Sequence, residues 1–373
     1  MKLIKITDPF VTLDSKPYSG STLLKGKTYL LHDAHAGAIE KLGLGRIIDE
    51  TKKLTHFDQT LLRFHSHPLK VLFLFDGGLG DAISLALLLK GLEKNYNIMP
   101  DVACRREIWR DIFVPFGFSG DWFQPPVELH DIDAHDYIQL RADKAFCHKP
   151  SKWNLCIVEE LGSAYKVNMN DISLSYLISE EIRKKTALPE GMGVRIGLNF
   201  DSRGDIKSYP KRLQPTLLNL LLQAGFELFI FGTRVPNLEG VDNVTRVHDY
   251  CGKTTIPELA SIVSQMDLMI SVDSFIAHLS DILGIKTTVL LSTTRRGIYS
   301  WHKNIRGIES MINCSPCGEV GNKCPRGFSQ CQAFHHESIA PEIITLNLIN
   351  QCASNLNNLI HTSMATSRQS TER

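Results

Sequence analysis

Four clusters in this chain have residue types and spacings that could do chemistry. The first is Asp76-Gly77-Gly78-Leu79-Gly80-Asp81. Glycines let a backbone turn tightly and let a second molecule come close, and the helix that follows such a turn presents unpaired N–H groups. Asp81 could equally do no more than cap that helix. The string is not G-x-G-x-x-G, and no acidic residue on a second strand tip supports a nicotinamide site, so a dehydrogenase is disfavoured. The second cluster is Ser271-Val272-Asp273-Ser274-Phe275-Ile276-Ala277-His278. A strand ending at Asp273 and leading into a helix offers amides and a dipole to an anion such as a diphosphate. Ser274 would add a hydroxyl donor, and His278, one turn in, could face the same crevice. Asp273 or Ser274 as a plain cap and His278 as a core histidine fit the spacing as well.

The third cluster, Lys207-Ser208-Tyr209-Pro210-Lys211-Arg212, is a basic loop between a strand and a helix. It is placed either to neutralise a phosphate leaving group or simply to be solvated. The fourth is Cys314-x-x-Cys317, six residues, Cys324, six residues, Cys331. Four thiols this close can surround a tetrahedral Zn²⁺ or an iron, and four thiolates leave no open position, so such an ion would be structural. Reduced structural thiols or a regulatory disulfide are the competing readings. His335 and His336 could replace one thiol. The groups His32/Asp33/His35 and His65/His67 lack supporting ligands.

Elements that would position these clusters can be read from periodicity. Val71–Phe75 is a short apolar run suited to a strand buried on both faces, and an apolar helical pattern runs from Ala82 to about Leu92. Strand, glycine-rich turn and helix open a βαβ unit. Residues 1–68 form a prelude with helical-looking stretches at His35–Leu42 and Arg46–Leu54. Ile172–Ala187 reads as a helix and Pro189–Gly193 as a linker. A cleaner α/β series follows. Its strands are Val194–Phe200, Glu227–Phe231, Leu268–Val272 and Thr287–Leu291, and its helices are Gln214–Ala224, Thr255–Gln265 and Phe275–Leu283. Gly225 and Gly284 close two of those helices, and Thr255-Ile256-Pro257-Glu258 has the capping-box spacing. Strands alternating with helices predict a parallel, doubly wound sheet. The expected organisation is an extension over 1–68, one α/β domain over 69–190, a second over 191–360 with a Cys-rich module at 313–332, and a disordered tail over 361–373.

At 373 residues the chain has room for two or three domains. Forty-one Lys plus Arg against forty Asp plus Glu leave a formal charge of +1, which argues against binding nucleic acid through bulk charge. No apolar run is long enough to span a bilayer, and Met1–Thr7 lacks the continuous apolar segment of a secretory signal, so a cytosolic protein is expected.

The segment Asp249–Leu259, with Gly252-Lys253-Thr254, leads into Met266–Ser274, then His278 and Gly284–Thr288. Together these resemble the C-terminal signature of glycosyltransferase family nine, the heptosyltransferases of the lipopolysaccharide inner core. Gly77–Asp81 looks like that family's N-terminal Gly-Asp turn. Asn313–Cys317 with Cys324-Pro325-Arg326-Gly327 and Cys331 resembles a C-x-P-C…C-P-x-G…C stretch of some members. The resemblance covers roughly 70–100 and 194–335.

It implies a GT-B architecture of two Rossmann-like domains facing a cleft, with inverting transfer and no catalytic metal. Asp81 would be the general base and Lys211 would offset charge on the departing diphosphate. Asp273, Ser274 and His278 would cradle the donor, with Gly80, Arg212, Gly232, Thr233 and Phe275 also at the donor site. The implied partners are a nucleotide-sugar donor, ADP-heptose first, and a glycan, glycolipid or protein acceptor. Only peripheral contact with the inner membrane face and a possible homo-oligomer go with it. Some protein-modifying relatives also carry a four-cysteine finger. A nucleotide-sugar epimerase and a non-catalytic sugar-nucleotide-binding subunit are the alternatives. The sequence departs from the family pattern at Phe275, where a small residue is usual, at Leu213, where a tryptophan is usual, and in having Glu239 as the nearest acidic residue after Gly232-Thr233.

Overall fold

The computed structural model describes residues 2–8, 10–13, 18, 21–31, 33–49, 54–55, 67–140, 156–189, 193–317, 324–328 and 330–353. The chain divides into two compact units, Met1–Leu177 and Ile178–Arg373, where the sequence suggested a linker near residue 190. The linker's centre, the tail, His32 and His65 lie outside the described residues.

In the first unit, five parallel strands lie in the order Leu54–Thr55, Tyr137–Leu140, Leu69–Leu74, Ile98–Ala103, Trp122–Phe123. Leu69–Leu74 is followed by the helix Leu79–Asn95, which starts three residues before the expected Ala82. The opening residues build a four-stranded antiparallel sheet in the order Val127–Glu128, Thr28–Leu31, Lys2–Ile6, Gly45–Asp49, covered by the helix Asp33–Lys41. Its outer strand comes from far along the chain: Val127 pairs with Leu30, and Lys27 meets Glu128 at 2.8 Å. Leu3, Leu30, Leu72, Ala103, Val127 and Ile132 bury one another, so the prelude shares a core with the parallel sheet.

Two helices read from the sequence are corrected. Arg46–Leu54 is no helix: Gly45–Asp49 is a strand pairing with Lys2–Ile6, and its β-branched isoleucines fit a pleat better than a helix. Within Ile172–Ala187 only Glu180–Lys185 is helical. Ahead of it Ile172, Leu174 and Tyr176 are buried while Ser173, Ser175 and Leu177 are exposed. That period of two is the mark of an extended segment.

The second unit follows the expected pattern closely. Six parallel strands lie in the order Val247–Asp249, Glu227–Phe231, Arg195–Asn199, Leu268–Val272, Thr287–Leu291, Ile305–Glu309. The central strands are buried and mostly apolar, with Ser271, Thr287 and Thr288 among the buried polar exceptions, as a sheet covered on both faces requires. Gln214–Gln223, Ile256–Val263 and Phe275–Ile282 are the crossover helices, and a helix over 341–353 adds Ile344 and Leu348 to the core. Chain order reverses between Arg195–Asn199 and Leu268–Val272, and in such sheets ligands bind beyond the strand ends at that point. Among the described residues no helix is long and apolar enough to cross a membrane.

The capping box at Thr255 forms as expected. Thr255 Oγ1 accepts from the Glu258 N–H at 3.4 Å, and Glu258 accepts from the Thr255 N–H at 2.8 Å. Contact with Lys185, then these Thr255 bonds, pulls the Glu258 carboxyl down to about 2 from its ordinary 4.5. Thr255→Ala should destabilise the protein by about 1 kcal/mol in urea unfolding at pH 7. A carboxyl lowered on folding stabilises above its unfolded value and loses that effect as pH falls through the folded one. The Glu258 contribution should therefore fade between pH 4.5 and about 2, and be absent at all pH values in Glu258→Gln.

Candidate active site

At the switch point of the second unit, Asp273 follows directly on the strand Leu268–Val272 and its carboxylate is almost fully enclosed. Lys207 Nζ lies 2.6 Å from Oδ2, Thr294 Oγ1 donates to Oδ2 at 3.2 Å, and the Tyr299 hydroxyl donates to Oδ1 at 2.7 Å. The Asp273 and Lys207 side chains are 12% and 15% exposed. Burial by itself would push this carboxyl up, but the Lys207 charge and the bonds from Lys207 and Tyr299 outweigh it and hold Asp273 below its ordinary value. Ser202 Oγ donates to the Asp273 carbonyl at 3.0 Å, tying the two strand ends across the switch point.

Ser274 is the N-cap of the helix Phe275–Ile282, yet its side chain caps no amide. Its hydroxyl donates instead to Asn199 Oδ1 at 2.7 Å, where Ser271 Oγ also donates at 3.0 Å. The extra hydroxyl donor expected from Ser274 is thus spent on the sheet end, because Asn199 on the neighbouring strand offers an acceptor at that height. Phe275 opens the helix and packs half-buried against Phe229, Phe231 and Met269 and their cluster. His278 bonds through Nδ1 to His302 Nε2 at 3.1 Å, and its ring lies 5.2 Å from that of Tyr299.

The basic loop does not act as one piece. Lys207 closes the turn Asp205–Lys207 and reaches inward to Asp273. Lys211 is exposed and lines a separate pocket with Asp201, Ser208, Tyr209, Gln214 and Arg234. Arg212 donates to the His335 ring at 2.9 Å. Asp201, on the wall of that pocket, lies against Gly232, whose φ is +145° and whose Cβ, if present, would sit 2.6 Å from Asp201 Oδ2. Asp201 accepts from the N–H groups of Thr233 and Arg234 at 2.8 and 2.6 Å. Asn199, Asp201, Lys207, Tyr299 and His302 escaped the sequence reading as individual site residues. Lys207 entered that reading only as part of the basic loop, and of the other four Asp201 alone carried a signal, an acidic residue just beyond a strand end.

In the first unit Asp81 is the third residue of the helix Leu79–Asn95 and accepts from the Gly78 N–H at 2.8 Å. At Gly77 an added Cβ would meet the Phe75 ring at 2.6 Å and Asp81 Cβ at 3.0 Å, so a larger residue there would have to displace that ring. Gly80 is the helix's second residue, and Arg105 Nη2 lies 3.4 Å from the Gly77 carbonyl.

Cys314, Cys317, Cys324 and Cys331 are half-buried thiols that line one hollow of about 240 Å³. Burial, and then the other three thiols, push Cys331 up to about 11. Among the described residues no three His, Cys, Asp or Glu side chains stand where they could hold an ion. His335 and His336 do not join the thiols: His335 meets Arg212, and His336 Nδ1 bonds to Ser338. His35 packs edge-on against Tyr18.

A parallel sheet of this strand order, with ionised groups gathered at its switch point, is a scaffold for holding a nucleotide. Residues 155–326 match the model of glycosyltransferase family 9 (heptosyltransferase). No curated protein sequence matches the chain. Among solved structures, E. coli ADP-heptose lipopolysaccharide heptosyltransferase II aligns at a TM-score of 0.57 and 13% identity over 77% of this chain and 99% of its own. The iron-containing dodecameric glycosyltransferase TibC of enterotoxigenic E. coli aligns at 0.57 and 11% over 95% and 91%, also in its complex with ADP-D-β-D-heptose. A family 9 glycosyltransferase of Veillonella parvula aligns at 0.52 and 15% over 66% and 87%. At these identities the likeness establishes the fold, which is of the GT-B heptosyltransferase kind.

Lys207→Met should destabilise the second unit by about 3 kcal/mol, because it strands a buried carboxylate. Lys207→Met/Asp273→Asn should recover much of that loss. Urea unfolding of the two single variants and the double variant closes the cycle, and strictly additive losses would show that the pair is not coupled.

Proposed function

We propose that the protein moves a sugar from a nucleotide diphosphate, ADP-heptose being the first candidate, to a hydroxyl of a glycan, glycolipid or protein acceptor, with inversion at the anomeric carbon. The acceptor oxygen attacks that carbon as its proton passes to the Asp81 carboxylate. The bond to the diphosphate breaks with its electron pair, and the negative charge gathers on the departing phosphate. Backbone amides at the start of Phe275–Ile282 receive the phosphates, Lys211 offsets the new charge, and the pocket beside Gly232 and Thr233 takes the nucleoside. The single observation that carries this reading is the switch point of the second unit, which lies in the segment matching the family 9 model and holds Asp273 ionised beside a helix N-terminus. The donor choice is supported by TibC, solved with ADP-D-β-D-heptose on a fold covering 95% of this chain.

Asp81→Asn should lower transfer by roughly 10²–10⁴ with donor affinity kept, the share of a rate that a positioned base supplies. Lys211→Ala should weaken donor binding or turnover. A thermal-shift panel of ADP-, UDP-, GDP- and CMP-sugars, followed by mass spectrometry of products from the best binder, tests the assignment. Conversion of the donor with no acceptor present would identify an epimerase, and binding with neither transfer nor hydrolysis a sensor subunit.

The four cysteines are assigned one structural Zn²⁺ or iron. All four thiols line one hollow and are the donor set such an ion takes, and a cation there would favour their thiolate forms. The iron-containing TibC likeness supports the assignment and, being dodecameric, supports self-association as well. Some protein-modifying relatives also carry a four-cysteine finger, which keeps a protein among the candidate acceptors. One equivalent of metal per chain by elemental analysis, lost in Cys317→Ser, is the expected result. A metal-free native protein would leave the cysteines as plain thiols.

A further inference from the structure

Three titratable side chains at the edge of the switch point form a line with no part yet in the proposed reaction. Asp281 lies near the end of the helix Phe275–Ile282, and its side chain and that of His302 are 6% and 1% exposed. Asp281 Oδ1 accepts from the Asn304 N–H at 2.8 Å, and Oδ2 lies 2.8 Å from His302 Nδ1. His302 Nε2 in turn lies 3.1 Å from His278 Nδ1. The Asn304 side chain donates to the Asp281 carbonyl at 3.2 Å, so the loop carrying His302 is pinned to the helix twice.

This line fixes protons. Burial pushes the Asp281 carboxyl up, but the bonds from His302 and Asn304 outweigh it and leave the group below its ordinary value, ionised. An ionised carboxylate only accepts, so the proton of His302 sits on Nδ1. When each ring carries one proton, His302 Nε2 is an acceptor and the facing His278 Nδ1 carries the His278 proton. The lone pair of His278 is left on Nε2. Burial, followed by the neighbouring His302, pushes His278 down to about 3, which keeps that ring neutral.

We propose that Asp281 and His302 are positioning residues that hold His278 as its Nδ1–H tautomer, so that Nε2 accepts from a hydroxyl of the sugar nucleotide and makes no bond to its phosphates. The proposal rests on the donor reading given above. Ionised phosphate oxygens offer lone pairs only, and a bare imidazole nitrogen facing them would be repelled, whereas a ribose or sugar hydroxyl can donate to it. Main-chain amides and His278 on one short helix thereby divide the work, the amides taking the anion and the ring taking a hydroxyl. His278 thus stays in the donor cradle that the family pattern implies, with a hydroxyl as its partner there.

Full-length protein labelled with 15N-histidine gives a direct readout at about pH 8, with ring signals assigned through His278→Gln and His302→Gln. Two-bond proton–nitrogen correlations of the free protein should show His278 protonated on Nδ1 and bare on Nε2. A proton on Nε2 would overturn the proposal. Adding ADP-heptose should shift the Nε2 resonance as it accepts a hydrogen bond, and inorganic pyrophosphate should not. His302→Leu should mix the tautomers and raise the calorimetric Kd and the KM for ADP-heptose about tenfold with a smaller change in kcat, the effect of one hydrogen bond. His302→Gln, whose amide oxygen can accept from Nδ1–H, should recover most of that affinity. Mixed tautomers in His302→Leu with unchanged affinity would refute the hydroxyl contact. Wild-type protein that binds no ADP-heptose would refute the donor choice and the contact with it, while the free-protein tautomer judges the positioning role separately.

Discussion

A carboxylate buried at the end of a parallel strand is unstable alone, and the Lys207 ammonium 2.6 Å away is what makes Asp273 tenable. The same pair draws the loop after Arg195–Asn199 across the switch point, where Ser202 fastens to the Asp273 backbone. Tyr299 and Thr294, from the loops after the next strand, complete the carboxylate's hydrogen bonds. Two loops therefore converge on the strand end that carries this charge, and the helix N-terminus beside it inherits its position from them. The pairing also bears on ligand choice. An unpaired carboxylate there would repel a diphosphate, and Lys207 cancels that repulsion without occupying the helix amides.

The cysteine hollow is joined to this arrangement by a short chain of contacts. Ser315, between Cys314 and Cys317, donates to the Ser292 carbonyl at 2.6 Å, and Ser292 Oγ donates to the Ile206 carbonyl at 3.3 Å, one residue before Lys207. Past Cys331, Phe334 packs edge-on against Tyr209 at 5.6 Å, and His335 holds Arg212. The loop bearing Lys207 and Lys211 is thus braced on one side by the sheet and on the other by the thiol segment.

Much of the second unit was legible because its signals are local. Thr255 and Glu258 sit at capping-box spacing, Gly225 and Gly284 supply left-handed turns at φ +90° and +78°, and the apolar strand runs are short and punctuated. The first unit was harder to read for a physical reason. Its antiparallel sheet borrows Val127–Glu128 from almost a hundred residues downstream of Thr28–Leu31, a pairing with no local mark. In Ile172–Tyr176 apolar residues alternate with serines, a strand-like period masked by the helix-forming charged residues next along the chain, and only Glu180–Lys185 coils.

The sequence by itself determined the element types of the second unit, the strand ends where charged residues collect, and the grouping of four cysteines, since each depends on neighbours along the chain. Tertiary structure alone decided which basic side chain meets Asp273, that Ser274 turns to Asn199, that Asp201 holds the Gly232 turn, and that Asp281 reaches His278 through His302. Those pairings join residues many positions apart, and the parallel crossovers that bring them together come from packing a whole sheet, which no local pattern encodes.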